Sequence, residues 1–327
     1  YDITPLKTTL TSATIATTSG SPTCTITKAA HGVAVGDIVQ LDSVTLPGGT
    51  GFTNADFEDK NFQVISVPTT GTFTINQASN ASGTVSTGGS LSIKPYEPVG
   101  PRAQTYGYGW GMDPWSNGNW GEAAAASDVT LEPGLWSLDN FGEVLVATIL
   151  NGKTFTWDSG ISQRLTTRAS TTTNNFATTN NPTKTRVTLI SPTTRHLIHL
   201  GTETIVGTPD SQDDMFIRFS DQEDINTYSP SATNTAGTQR LQDGTKIIGA
   251  IKAKEVILIW TDNALYTMKF IGSPFTFAVE QVGTNCGLIG QNAVIEIDGA
   301  AFWLSPKGFF LYDGTVKSLP CTVEDFV

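Results

Sequence analysis

The chain has 327 residues and a formal net charge of −11, from 19 Lys and Arg residues against 30 Asp and Glu residues. Charged residues make up 15% of the sequence, against about 25% in ordinary soluble domains. This acidity argues against a protein that grips nucleic acid by neutralising phosphates. No apolar run approaches the roughly 20 residues that span a bilayer. Abundant threonine, glycine and valine favour a pleated backbone, so the composition predicts a soluble, all-β protein.

The three cysteines do not have the pattern of a disulfide framework. Cys24, Cys286 and Cys321 are odd in number and far apart, with no ligand spacing typical of a metal site. Three buried or half-buried thiols are the expectation, which is compatible with folding in a reducing cytoplasm. The chain opens at Tyr1 without a basic and apolar leader, which predicts an internal piece of a longer protein or a processed form.

Residues 18–93 predict a small β-module. Short alternating runs recur there between Gly and Pro turns, as in half-buried strands. The runs are 23–27, 37–41, 61–67 and 72–75. About five strands in 70 residues make a small barrel or sandwich, and we expect it to be inserted in a larger domain formed by 1–17 and 94–327.

Residues 95–122 have no regular period but hold Trp110, Trp115 and Trp120 among many glycines. Glycine permits tight turns, and each aromatic side chain offers about 150–250 Å² to bury. The segment therefore predicts a loop that packs by stacking aromatic rings. It lacks the strand, helix and glycine spacing of a dinucleotide site.

From residue 135 onward, apolar runs flank tight turns repeatedly. The turns are Asn151-Gly152, Asp262-Asn263 and 306–308, and a weaker copy turns at 201–203 between 196–200 and 204–206. Hairpins that recur every 40 to 50 residues are typical of propeller blades. The pattern predicts an irregular β-propeller-like body with long insertions at 158–186 and 207–245, or else a β-sandwich with long loops.

Few residues in the sequence suggest a catalytic or metal-binding site. His196 and His199 are three residues apart in an alternating run, which places them on opposite faces of a strand and argues against a shared metal. Six acidic residues form a patch that could hold Ca²⁺ but lacks the EF-hand pattern, so a solvated loop is favoured. They are Asp210, Asp213, Asp214, Asp221, Glu223 and Asp224. No nucleophile elbow is present, and nothing singles out a pair of carboxylates for glycoside hydrolysis. We therefore expect no catalytic, metal or cofactor site and no enzyme activity.

Several short sequence segments resemble segments of the tail nozzle or hub proteins of short-tailed, podovirus-like bacteriophages, also called phage stabilisation proteins. Residues 23–93 are also similar to a small β-module that recurs in phage tail proteins. The segments that resemble nozzle proteins are 1–5 (YDITP), 106–121, 219–224 (FSDQED) with 231–237, 259–266 (IWTDNALY) with 283–288, and 309–314 (FFLYDG) with 319–326.

That resemblance implies a structural protein of the virion tail, assembled in the host cytoplasm. It implies a ring of six copies below the portal and adaptor, around the channel through which DNA leaves without sequence-specific binding. Tail fibre, spike or needle proteins attach to such a ring. Family members commonly run longer, so the propeller is expected to be incomplete at both ends.

A closed ring of identical subunits needs two different complementary surfaces on each copy. The hypothesis from the sequence is that the loop with Trp110, Trp115 and Trp120 supplies one of them. Two other functions stay open at this point, a propeller that binds a glycan or receptor through exposed aromatics and a polysaccharide-degrading tail enzyme.

Overall fold

The computed structural model describes residues 3–97, 134–158, 181–254, 256–272 and 274–320, and it is almost entirely β-structure. The expectation of an all-β fold is confirmed. The chain divides into two compact units, Asp2–Gly134 and Leu135–Val327. Among the described residues, no helix is long and apolar enough to cross a membrane.

In the part of the first unit that the structure describes, seven strands form one antiparallel sheet in the order β4-β3-β7-β1-β2-β6-β5. Its strands are β1 Leu10–Thr17, β2 Thr23–Thr27, β3 Ile38–Thr45, β4 Lys60–Gln63, β5 Ser66–Thr69, β6 Thr72–Asn76 and β7 Val85–Pro95. Strands β4 and β6 contact each other although four strands separate them in the sheet order. The sheet is therefore curled around its core.

The core of the curled sheet is built by alternation along the strands. Every second residue of β1 and β2 turns inward, and Ile15, Ile26 and Phe73 are almost completely buried. His31 belongs to this core edge, because its ring packs edge-on against Phe73 and its Nδ1 accepts the Val33 N–H at 3.2 Å. His31 thus holds a turn.

The boundary of this unit differs from the expected one. Residues 1–17 were expected in the larger body, but β1 pairs with β2 through Thr14–Thr27 and with β7 through Leu10–Ile93. The first strand is thus central to the small module. Its Thr-rich sequence showed an extended segment but not which partners it would pair with.

The described residues of the second unit form a succession of four antiparallel sheets, here called sheets 1 to 4. Sheet 1 has the described strands β8 Trp136–Phe141, β9 Val144–Ile149 and β10 Thr154–Asp158. Sheet 2 has β11 Thr185–Ile190, β12 Leu197–Thr202, β13 Phe216–Phe219 and β14 Gly237–Arg240. Sheet 3 has β15 Ile247–Lys252, β16 Ile257–Thr261, β17 Leu265–Phe270 and β18 Phe277–Gly283. Sheet 4 has β19 Val294–Ile297, β20 Ala300–Ser305, β21 Gly308–Tyr312 and β22 Val316–Leu319.

Each of these sheets is a meander in which consecutive strands are neighbours, as in the blades of a propeller. Strand β11 contacts β8 and β9, β15 contacts β11, and β19 contacts β15. The sheets therefore stack in chain order, with the first strand of each beside the first strand of the next.

The hairpins expected at Asn151-Gly152, Asp262-Asn263 and 306–308 are present. The turn expected at 201–203 is wrong, because β12 runs through to Thr202. Gly201 lies inside that strand with φ of +64°, a conformation that glycine adopts without strain. The next strand is β13, within the expected insertion 207–245, which also contains β14. The insertion expected at 158–186 extends into the start of β11.

Candidate functional site

The junction between sheets 1 and 2 contains a buried group of hydroxyls, here called the hydroxyl layer: Ser137, Thr148, Thr154 and Thr188. The Thr188 hydroxyl donates to that of Thr148 at 2.8 Å, and Thr148 and Thr154 share another bond of 2.8 Å. The Thr188 N–H donates to Ser137 Oγ at 3.1 Å. All four side chains are buried. Such groups satisfy one another, which a buried polar side chain requires.

His199 continues this polar interior. Its Nδ1 lies 3.1 Å from the Thr185 hydroxyl and its Nε2 lies 3.0 Å from the Tyr228 hydroxyl. Burial, together with the nearby charge of Arg218, lowers the pKa of His199 to about 3. Burial also raises the pKa of Tyr228 well above its usual value. The pair is therefore neutral at ordinary pH and acts as a structural link.

Arg218 is buried beside this pair and binds main-chain carbonyls. Its guanidinium donates to the carbonyl oxygens of Tyr228 at 3.2 Å, Glu203 at 3.3 Å and Thr204 at 2.8 Å. The Glu203 carboxylate, also buried, accepts from the Gly207 N–H at 2.6 Å and from the N–H and hydroxyl of Thr183. These two charged groups hold the loop that follows β12.

His196 lies on the other side of β12, as expected, since it contacts Phe219 and Phe277. Its Nε2 lies 3.0 Å from Thr235 Oγ1, a distance at which a base could activate a nucleophile. However, the Thr235 hydroxyl already donates to Asp221 at 2.6 Å and accepts from the Gln222 N–H at 2.9 Å. The hydroxyl proton is thus directed at the carboxylate, and Nε2 must donate to this oxygen.

The expected acidic patch does not converge. Asp221 and Asp224 fold their own loop, the latter by accepting from the Asn226 N–H and the Thr227 hydroxyl. Asp213 pairs with Arg240 at 2.6 Å, and Asp214 lies 3.5 Å from Arg186. Burial opposes ionisation of Asp221, but hydrogen bonds from Thr235 and Gln222 outweigh it and lower the pKa. Asp210 lies in the short 3₁₀ turn Pro209–Ser211, and Glu223 has φ of +57°.

An acidic group that the sequence did not indicate occurs in the first unit. Carboxylate oxygens of Asp42, Glu58 and Asp59 lie within 4.8 Å of one another. Asp42 is paired with Lys94, which lowers the pKa of that carboxyl. Glu58 accepts the N–H groups of Ser43 and Val44 at 2.9 and 2.7 Å. These bonds give Asp42 and Glu58 a structural role where the pairing of β3 with β7 shifts register. The two residues are 16 positions apart, so the sequence showed no motif.

An open groove of about 590 Å³ lies where β18 of sheet 3 meets β21 and β22 of sheet 4. Its lining residues are Gln281, Val282, Gly283, Thr284, Phe310, Val316 and Ser318. This lining contains no carboxylate, imidazole or thiol. Phe310 is its aromatic residue, and that ring stacks on Trp303 of the core. The groove therefore offers polar contacts but no acid–base chemistry.

The expected contact residues Trp110, Trp115 and Trp120 lie outside the described residues, as does Cys321. Cys24 and Cys286 are buried, as expected, and burial raises the pKa of Cys24 to about 11. Trp260 and Trp303 are core residues whose rings meet edge to face at 5.4 Å. In the described parts of the chain, the hydroxyl layer, His199, Arg218 and Glu203 form their hydrogen bonds within the fold.

No protein-family model matches the sequence, and no curated protein matches it. Among solved structures, the endosialidase of phage phi92 is similar at 16% identity with a TM-score of 0.27. The match covers 92% of this chain and 47% of that one, so the chain spans about half the length of the endosialidase. A similarity this low does not establish a shared activity.

Proposed function

We propose that this chain is a structural component of a short phage tail and is not an enzyme. In this proposal, copies form a ring around the DNA exit channel below the portal and adaptor, and other tail proteins attach to the ring. The observation that carries the proposal is the row of four stacked sheets with its closely hydrogen-bonded polar interior. Buried polar groups of this kind stabilise the packing of the sheets and are not accessible to a substrate.

Two features of the sequence support the same role. Two of the segments that resemble nozzle proteins fall on defined hairpins, since 259–266 spans the turn between β16 and β17 and 309–314 covers most of β21 and the turn after it. The net charge of −11 disfavours adhesion to phosphates, as a passage for DNA requires.

The test is electron microscopy of the purified chain, alone and mixed with a purified portal–adaptor complex. We expect rings with a central opening that bind this complex, and no retention of double-stranded DNA at physiological salt. Particles without rings that instead bind a defined oligosaccharide on a glycan array would support the receptor-binding alternative. Release of reducing sugar from host capsule would show that the chain is an enzyme.

A further inference from the structure

The hairpin of β17 and β18 carries an exposed apolar tip. Phe270 is 37% exposed, Ile271 is 52% exposed and Phe275 is 72% exposed. We call these three residues the hairpin tip. Phe275 is the most exposed of the large apolar side chains in the described ranges. Single apolar side chains are normal on a protein surface, whereas several that lie together mark a site of interaction.

The base of the hairpin tip is held by the fold. The Ile271 N–H donates to the Thr276 carbonyl at 3.1 Å, and the Thr276 hydroxyl donates to the Thr235 carbonyl at 2.7 Å. The ring of Phe270 meets the buried ring of Phe277 at 5.8 Å between centroids. The tip is therefore presented on a fixed base, which reduces the conformational entropy that binding would cost.

The groove between sheets 3 and 4 has a matching character. Its apolar lining residues Val282, Phe310 and Val316 are half-buried. Thr284 and Ser318, which also line it, are polar and exposed. An apolar centre with a polar rim is the usual composition of a contact surface. The volume of about 590 Å³ lies within the range of about 300–1,000 Å³ that is typical of binding clefts.

A hairpin tip cannot reach the groove of its own chain. Strand β18 begins at Phe277, next to the tip, and ends at Gly283, in the groove. An extended strand of this length separates its two ends by roughly 20 Å. The strand is paired with β17 from end to end, so it cannot bend back on itself. An occupant of the groove must come from another molecule.

We infer that the hairpin tip of one copy inserts into the groove of a second copy. The inference deepens the proposed function and rests on it, because it names surfaces that join neighbouring subunits. The contact is head to tail, since the tip of one molecule meets a different surface on the next. Such contacts repeat from copy to copy and form a ring when the rotation between copies closes.

The chemistry of the two surfaces favours this occupant. The lining residues of the groove are uncharged, so insertion of an apolar tip leaves no charge buried without a partner. An aromatic side chain offers about 150–250 Å² to bury. A standard interface buries about 800 Å² on each partner, so the tip acts as the anchor of a larger contact.

The first test uses two variants of the full chain, each with a matched control. Phe275→Ser removes the exposed ring, and its control is Ile205→Ser, at a residue 63% exposed between β12 and β13. Ser318→Trp fills the groove beside its cross-strand neighbour Phe310. Its control is Thr315→Trp, in the turn between β21 and β22. All four substituted positions are exposed, so circular dichroism should show the wild-type fold.

Sedimentation velocity over a concentration series measures assembly. Phe275→Ser and Ser318→Trp should each raise the concentration for half-assembly about tenfold to a hundredfold, because each prevents the burial of one aromatic ring. The two controls should assemble like the wild type. Mixed in equal amounts, the tip and groove variants should form dimers and nothing larger, since one intact tip can meet one intact groove.

Photochemical cross-linking identifies the occupant of the groove directly. Benzoylphenylalanine replaces Phe275 in one sample, which is mixed with isotopically labelled wild-type chain. After irradiation, mass spectrometry should find cross-links from position 275 to residues 281–284 or 310–318 of the labelled copy. The label distinguishes contacts between copies from contacts within one chain.

The outcomes separate the inference from the proposed function. Wild-type rings together with normal assembly of Phe275→Ser, or with cross-links to other surfaces alone, would overturn the inference and leave the ring as a proposal. Binding to phosphatidylglycerol vesicles that Phe275→Ser abolishes, without cross-links between copies, would assign the tip to a lipid surface and would also overturn it. A wild-type chain that stays monomeric at every concentration would overturn both.

Discussion

The Nε2 atom of His199 in β12 lies 3.0 Å from the hydroxyl of Tyr228 in the loop between β13 and β14, and both side chains are buried. A neutral imidazole has one donor and one acceptor nitrogen, so the Thr185 and Tyr228 hydroxyls satisfy it completely. Protonation would make both nitrogens donors and place a charge beside Arg218. The interior of this sheet is thus built for the neutral form.

The free energy of unfolding should decline as the pH falls below about 6.5. Burial lowers the pKa of His199 to about 3 and that of His196 to about 4, so the unfolded chain takes up these protons first. Each histidine should remove about 2 kcal/mol between pH 6.5 and pH 5. Urea unfolding at several pH values measures this. The His196→Gln/His199→Gln variant should be less stable at pH 7.5 but show a flatter dependence on pH, and an unchanged slope would contradict the assignment.

Trp303→Phe should destabilise the second unit more than Trp260→Phe. Both substitutions remove the same atoms from one apolar cluster, but the Trp303 indole donates to the Cys286 carbonyl at 2.7 Å. The Trp260 indole has no hydrogen-bond partner among the described residues. The difference should be about 1–2 kcal/mol in the free energy of unfolding. Equal losses in urea melts would show that the Trp303 bond contributes nothing net.

Thr148 and Thr188 should be energetically coupled. A double-mutant cycle with Thr→Val at both positions should give an interaction energy of about 1 kcal/mol, because each single change leaves a buried hydroxyl with fewer partners. The control is the same cycle at Thr69 and Thr72, whose hydroxyls are also 2.8 Å apart but exposed. There the coupling should lie below about 0.5 kcal/mol. Similar values in the two cycles would argue against a special contribution of the hydroxyl layer.

Gly201→Ala should destabilise the chain by about 1–3 kcal/mol. The residue has φ of +64°, and an added Cβ would lie 2.6 Å from the Cδ of Arg186. Gly207→Ala is the matched control, since Gly207 has φ of +77° but nothing lies within 4 Å of an added Cβ. The excess loss at Gly201, seen in thermal melts, measures the close approach of Arg186. A larger loss at Gly207 would contradict it.

Local patterns in the sequence predicted much of the fold. The hairpins formed where a tight turn separates two apolar runs, as at Asn151-Gly152, because the turn and the strands are specified by neighbouring residues. The turn expected at Gly201 was wrong for a physical reason. Positive φ suits a turn and an irregular position inside a strand equally well, and only the long-range pairing of β11 with β12 decides between them.

The polar interior was less predictable. The alternating sequence predicted that His199 and His196 lie on opposite faces of a strand. It did not predict the hydrogen bond of His199 to Tyr228, which is 29 residues away. The grouping of Asp42 with Glu58 likewise depends on the folding of one sheet. Exposure was also unpredictable, because Ile295 and Ile198 look alike in the sequence, whereas the former is 57% exposed and the latter is buried.

The hydroxyl layer joins sheets 1 and 2 through several paired hydroxyls, whereas sheets 2 and 3 meet mainly through an apolar cluster, beside the bond from Arg186 Nε to the Ile247 carbonyl. Hydrogen bonds between Thr148 and Thr188 exist at one alignment, and sliding by a single residue breaks them. Contacts among aliphatic side chains have no such preferred alignment, so they retain much of their energy during small displacements. Under shear, sheets 1 and 2 should therefore move as a block, and slippage should begin at the mainly apolar junctions beyond them.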